Sequence, residues 1–169
     1  MIDLKYWAQK AIKSSFYLRI LNYGLKVSIP FNKPHGIRIL ELTDQSIKTG
    51  IPYKKKNFNH IRGLHACALA TLAEFTTGFL LVSRLDPKGF RIIMKSLVME
   101  YHYQGKMAAY ANFKADDHWL KKNIYDPLND SDSVFCECKT EIMDQANNLL
   151  ATGLITWQVK PWAKVRTKV

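Results

Sequence analysis

One run of the chain, residues 59–82 (NHIRGLHACALATLAEFTTGFLLV), limits the fold more than any other. A short polar approach, with Asn59, His60, Arg62 and Gly63, leads into about 18 residues that are nearly all apolar or small, and helix formers dominate up to Gly78. The pattern predicts a buried helix. Inside it sits one ionisable residue, Glu74, with no Lys or Arg close to it on the same helix. A buried carboxylate costs several kcal/mol unless it is paired or kept protonated, so Glu74 asks for a chemical reason. The run also approaches the length of a membrane span, but a mid-helix Glu carries a penalty of about 2.5–3.5 kcal/mol on insertion scales. Gly78 and several Ala and Thr dilute the hydrophobicity further, and burial inside a protein is the preferred reading.

The rest of the chain sets the class. Its 169 residues fit one domain with a sizeable core, and 47% hydrophobic with 12% aromatic content describes a folded globular protein. The formal net charge of +11 is uneven: the first 60 residues hold 11 Lys or Arg against 3 Asp or Glu, and Lys54, Lys55 and Lys56 stand just before the key run. No helix-turn-helix or stacking motif accompanies this charge, so nucleic acid is not the expected partner. Cys67, Cys136 and Cys138 are odd in number and form no Cys-x-x-Cys pair, which fits a reducing, cytoplasmic setting. Cys136 and Cys138 are expected on one strand face, without further ligands for a metal. The beginning of the chain lacks the charged-then-apolar order of an export signal.

Taken in order, residues 3–22 carry apolar side chains at helical spacing and lysines opposite, which predicts an amphipathic helix ending at Asn22-Tyr23-Gly24. Its first reading is a lid packed on a sheet with solvated lysines; the alternative is an interfacial helix touching an anionic membrane. Residues 25–35 read as an irregular connection broken by Pro30 and Pro34, followed by strands over 36–42 and 46–53. After the long helix, residues 90–103 and 106–115 read as strands joined in a hairpin at Gln104-Gly105. Residues 116–132 read as a long polar loop, and 133–144 with 149–159 as a second hairpin through Asn147-Asn148. The sum is α+β: an antiparallel sheet that must cover one apolar helix. The expected division is 1–33 as an N-terminal helix and connection, 34–162 as the main domain, and 163–169 as a basic tail.

Candidate site residues cluster where the helix begins. A helix N-terminus offers unpaired backbone N–H groups and the positive dipole end, which suit a developing oxyanion. His65 lies nine residues before Glu74 and Asn59 six before that. A carboxylate, an oxyanion cradle and two polar side chains are parts suited to acyl transfer. Cys67 could instead be a nucleophile with His65 or His60 as its base, but it reads better as a small core residue. Thr71, Thr76 and Thr77 read as hydroxyls bonded back to the helix backbone.

The spacing Asn59, His65, Glu74 resembles the central helix of hotdog-fold thioesterases, in particular the branch of the phenylacetate-pathway acyl-CoA thioesterases, over about residues 34–161. That branch has His-Gly-Gly where this chain has His65-Ala66-Cys67, so both glycines are replaced. The resemblance implies a curved sheet wrapped around the helix and a homodimer or homotetramer whose site is shared between subunits. It implies thioester hydrolysis with Glu74 as base or nucleophile, Ala66 and Cys67 N–H groups as the oxyanion site, and Asn59 and His65 positioning substrate or water. Lys54, Lys55 and Lys56 would attract the phosphates of coenzyme A. No metal or redox cofactor is implied. The rivals are a non-catalytic acyl-CoA-binding or acyl-sensing protein and a hotdog dehydratase, the latter disfavoured because no His-Phe-Pro-Gly-type stretch precedes the helix.

Overall fold

In a computed structural model that describes residues 4–166, the chain runs through α1 (Leu4–Lys13), α2 (Ser15–Ser28), β1 (Arg38–Leu42), β2 (Ser46–Ile51) and α3 (Ala66–Arg84). It continues through β3 (Phe90–Tyr101), β4 (Ala109–Lys114), α4 (Asp117–Leu120), α5 (Asp126–Asn129), β5 (Val134–Asp144) and β6 (Leu149–Pro161). The six strands form one antiparallel sheet in the order β1-β2-β4-β5-β6-β3. α3 packs against β2, β3, β4, β5 and β6. This is the α+β architecture of a hotdog fold. α3 is long and apolar enough to cross a membrane by length and composition, yet here it is the core helix.

Alternation decides which face of the sheet meets α3. Along β5, Cys136, Cys138, Thr140 and Ile142 are buried while their neighbours Phe135, Glu137, Lys139 and Glu141 are exposed, so period-two patterning points one set at the helix. The two cysteines do share a face. Small residues then let the helix come close. A methyl group on Gly153 of β6 would lie 3.1 Å from the Ala73 Cβ, and one on Gly78 would lie 2.7 Å from the Trp157 ring. Gly78 thus makes room for the indole, whose Nε1–H donates to Thr77 Oγ1 at 3.1 Å. Thr76 and Thr49 share a 2.6 Å hydroxyl contact between helix and sheet. Thr71, Thr76 and Thr77 also bond back to Cys67, Leu72 and Ala73 carbonyls, as their type suggests.

Several expectations are corrected. The N-terminal helix is two helices, broken at Ser14, whose backbone is extended (φ −157°, ψ 128°), and the second continues through Gly24 to Ser28. Residue 3 and residues 167–169 of the expected tail lie outside the described residues. Residues 116–132 are largely helical: Asp116 caps α4 by accepting from Trp119 N at 2.7 Å, a π turn spans Lys121–Tyr125, and α5 follows. Arg84, at the end of α3, pairs with Asp117 and donates to the Asp44 carbonyl, holding this segment to the core helix.

The largest correction concerns β3 and β4, which are not a hairpin. β3 pairs with β6 at one edge of the sheet, whereas β4 lies between β2 and β5. Gln104-Gly105 belongs to a crossing segment. The Gly105 carbonyl accepts from Leu64 N at 2.8 Å, and Gln104 Nε2 donates to the Ile61 carbonyl at 3.2 Å. That segment is tied to the approach of α3. The β5–β6 hairpin stands as expected: Asp144 Oδ1 accepts from Ala146 N and Asn148 N, both at 2.9 Å, and Asn147 takes a left-handed φ of 62°.

The Gly78–Trp157 contact yields a direct test. Gly78→Ala adds helix propensity worth about 1 kcal/mol, but its methyl meets the indole in a core with no slack. Net destabilisation of about 1–2 kcal/mol is expected, read from urea unfolding.

Candidate functional site

The approach to α3 is built on a residue that sequence reasoning passed over, Asn57. It is 1% exposed. Its Nδ2 donates to the carbonyls of His35 (2.9 Å) and Pro52 (2.8 Å), its Oδ1 faces His35 Nδ1 at 3.1 Å, and its backbone carbonyl accepts from His65 N at 2.8 Å. One residue thus joins the loop before β1, the end of β2 and the start of α3, the first two through its side chain and the third through its backbone carbonyl. Nothing in the sequence marks Asn57 over Asn59, since both are polar residues in a polar loop.

Asn59 closes the next turn. Its Oδ1 accepts from Ile61 N (3.1 Å) and Gly63 N (2.8 Å), and its own N–H donates to the Gly63 carbonyl at 2.8 Å. Arg62 takes φ 59° inside this turn, and its carbonyl accepts from the Tyr53 hydroxyl at 2.5 Å. Asn59 therefore holds the loop. His65 is the N-cap: its Nδ1 accepts from Cys67 N at 3.1 Å. The Cys67 N–H is thereby engaged, while the Ala66 N–H has no acceptor among the described residues.

Cys67 is exposed, which corrects its placement in the core. The reason is helical geometry. Cys67, Ala70, Thr71 and Glu74 fall at i, i+3, i+4 and i+7 of α3, one face, and these positions are exposed or half-buried while the other faces of this stretch are buried. The stripe starts beneath the end of β3, where the Tyr101 hydroxyl donates to the Ala66 carbonyl at 3.0 Å. Partial burial, and then the nearby Cys67 thiol, hold the Tyr101 phenol above its ordinary pKa. Tyr101 is a further residue at the site; its only sequence signal is its place at the end of a β-rich run.

Glu74 is half-buried on this stripe. No hydrogen bond or ion pair reaches its carboxylate among the described residues, and burial raises its pKa above the ordinary carboxylate value. Eight helical steps separate it from Ala66, about 12 Å along the axis. Asn59, His65, Ala66 and Cys67 are therefore brought together at the helix start, and Glu74 lies along the same face at a distance. The lysines occupy a different place. Lys54, Lys55 and Lys56, with Lys33 and Pro34, line a cleft of about 530 Å³ that does not include Glu74. Among the described residues no group of three or more His, Cys, Asp or Glu could hold a metal.

Similar folds have been solved. The structure superposes on a Pseudomonas aeruginosa protein of unknown function, PA5026, a probable thioesterase, with a TM-score of 0.77 and 20% identity, covering 83% of this chain and 93% of that one. The Haemophilus influenzae thioesterase HI1161 matches at TM-score 0.69 and 16% identity, over 89% and 94% of the two chains. A mutant of the P. aeruginosa thioesterase PA1618 matches at 0.68 and 16%, over 85% and 94%. At these identities the likeness establishes the fold, a hotdog-like architecture also found in thioesterases. By sequence, residues 18–159 match the family described as a domain of unknown function, DUF4442, and the chain belongs to that family. No curated protein matches the sequence.

Two outcomes are expected from this geometry. Asn57→Ala leaves the half-buried His35 and Pro52 carbonyls without their donor and a gap in a buried site, and should destabilise the protein by about 2–4 kcal/mol, measured by chemical denaturation. For Glu74, the folded pKa lies above the unfolded one, so the folded state holds the extra proton and stability falls as pH rises through that window. Glu74→Gln should therefore raise the melting temperature above the raised pKa. It should leave the melting temperature unchanged at a pH below the ordinary carboxylate value.

Proposed function

We propose that the protein is an acyl-CoA thioesterase that uses Glu74. The observation that carries this reading is a half-buried carboxylate, unpaired among the described residues, that shares one accessible helix face with a helix start whose Ala66 N–H meets no acceptor among them. The thioesterases among the structures of like fold support it, as does the resemblance of the Asn59, His65, Glu74 spacing to the phenylacetate-pathway branch. The carbonyl oxygen of the thioester would accept from Ala66 N–H, with the dipole of α3 stabilising the negative charge that develops. Burial makes Glu74 a stronger base. As base, it takes a proton from water while the resulting hydroxide adds to the carbonyl carbon. Collapse of the tetrahedral adduct then breaks the C–S bond and releases the coenzyme A thiol and the acid. As nucleophile, its carboxylate adds to the carbonyl carbon and the C–S bond breaks to expel the coenzyme A thiolate, leaving an acyl anhydride that water then cleaves to the acid and the free carboxylate.

The 12 Å spacing bears on how such a site is assembled. Direct attack needs reacting atoms within about 3.5 Å and an oxyanion about 3 Å from its donor, a span shorter than the distance from Ala66 to Glu74 of one chain allows. A second copy supplies the alternative, with Glu74 of one subunit facing the helix start of the other. The free edge of β3 favours such a pairing. It is 12 residues long, hydrogen-bonded to β6 on one side only, and carries exposed Ile93, Met94 and Val98. An apolar edge of that length is a template for another strand. The reading is thus a homodimer, or a tetramer built from it, acting in the cytoplasm. The cleft of Lys33, Lys54, Lys55 and Lys56 would take the phosphates of coenzyme A.

One observation favours a second reading. His65 Nδ1 occupies the Cys67 N–H, and Ala66 and Cys67 stand where glycines would allow close approach. This suits a protein that binds acyl-CoA without turning it over.

Thiol release from a panel of short, long and aromatic acyl-CoAs decides between them. Turnover that falls at least about 100-fold in Glu74→Gln, with folding intact, is expected for the enzyme. Saturable acyl-CoA binding with no thiol released by the intact protein would install the binding reading instead. Sedimentation velocity tests the assembly: the intact protein should run as a dimer or larger, and Ile93→Glu with Val98→Glu should run as a monomer.

A further inference from the structure

α2 has two faces, and both carry large apolar side chains. The inner face carries Leu21 and Leu25 into the core, and Asn22 locks it to β1 through a pair of hydrogen bonds with Ile39, 2.9 Å to its carbonyl and 2.8 Å from its N–H. The opposite face presents Phe16, Arg19, Tyr23, Lys26 and Val27 at i, i+3, i+7, i+10 and i+11, a stripe about 100° wide. Phe16 is 63% exposed, Tyr23 72% and Val27 67%. Large apolar side chains at such exposure, aligned on one face, lie outside the ordinary scatter of surface hydrophobics. Phe31, 68% exposed, follows in the turn just after α2.

The charge around this stripe has one sign. Residues 4–40 contain seven Lys or Arg and no Asp or Glu. Tyr23 also rims an apolar groove between α1 and α2, about 610 Å³, which Leu4, Trp7, Ile20 and Ile29 help to line. The groove opens beside the exposed stripe.

We propose that this outer face of α2 docks on an anionic lipid bilayer. Phe16, Tyr23 and Val27 enter the interface, Arg19 and Lys26 meet lipid phosphates, and the groove between α1 and α2 receives part of an acyl chain. The chemistry is that of an interfacial helix, in which apolar burial and attraction to anionic headgroups add. Charge complementarity selects this occupant. A second copy seated on the same face by two-fold symmetry would set Arg19 and Lys26 against their own kind, with no carboxylate on α2 to compensate. The inference is independent of thioester hydrolysis, because it uses none of the residues assigned to that reaction.

The test is flotation of the full chain with vesicles of phosphatidylcholine alone and of phosphatidylcholine with phosphatidylglycerol. The protein should float with the anionic vesicles only, and more weakly as salt rises. Phe16→Ser with Tyr23→Ser and Val27→Ser should lower the partition coefficient about tenfold or more at an unchanged melting temperature. Arg19→Glu with Lys26→Glu should do the same, and Lys121→Glu with Lys122→Glu, an equal change of charge at exposed positions elsewhere, should cost much less. Three results would overturn the proposal. They are no flotation with anionic vesicles, an equal loss in the Lys121/Lys122 variant, or undiminished flotation of the triple serine variant. Self-association without lipid that the serine changes abolish would be a fourth, assigning the face to a second copy.

Discussion

Covering α3 is the constraint from which the rest of the structure follows. A 19-residue helix of Ala, Leu, Phe and Thr cannot stay in water, and the five strands that contact it divide the task by placing small residues where they must come closest. Gly153 admits Ala73, and Gly78 admits the Trp157 ring. Interior density is high enough that such fits are specific to single atoms. The polar atoms brought in by this packing are satisfied across it, Thr76 with Thr49 and Trp157 with Thr77. Hydroxyls that bond back to the helix carry no cost of an unpaired donor.

What the sheet leaves uncovered is as informative as what it covers. β3 ends the sheet beside α3, and the helix face from Cys67 to Glu74 stays accessible. The start of that face is held by local hydrogen bonds: Asn57 to the His65 N–H, Gly105 to Leu64, His65 to Cys67. A fixed loop keeps backbone N–H groups aimed in one direction without reorganisation, the property that makes such donors useful to a developing charge. Glu74 gains no comparable support. Its carboxylate bears a desolvation cost that no partner among the described residues offsets, and groups perturbed in this way concentrate at functional sites.

Local chemistry made much of this legible in the sequence. The length and composition of residues 59–82 foretell α3, and the period-two runs around Asn147-Asn148 foretell the β5–β6 hairpin, because helix propensity and turn residues act over a few positions. Strand pairing is not local. Gln104-Gly105 looks like a hairpin turn, yet Leu64 and Ile61 take its hydrogen-bonding groups and send the chain across the sheet. The polar segment 116–132 folds as helix because Arg84 and a cap at Asp116 anchor it, partners 30 or more residues away in the first case and invisible to pattern in the second. At the site, Glu74 stood out because a carboxylate breaks an apolar run. Asn57 breaks nothing, and only the meeting of three segments on its side chain and backbone carbonyl reveals it.

Two of the surfaces that expose apolar side chains differ in chemistry in a way that bears on what covers each. Along the free edge of β3, Ile93, Met94 and Val98 come with an unpaired row of backbone N–H and C=O groups. Those groups have directional requirements that hydrocarbon cannot meet and another strand can. On α2 the backbone is already satisfied within the helix, so nothing directional is offered beyond Arg19 and Lys26 among Phe16, Tyr23 and Val27. Such a face gains from any medium that is apolar beneath and anionic at its boundary. Backbone valence therefore separates the two: the strand edge carries directional groups that another strand could meet, and the helix face carries none.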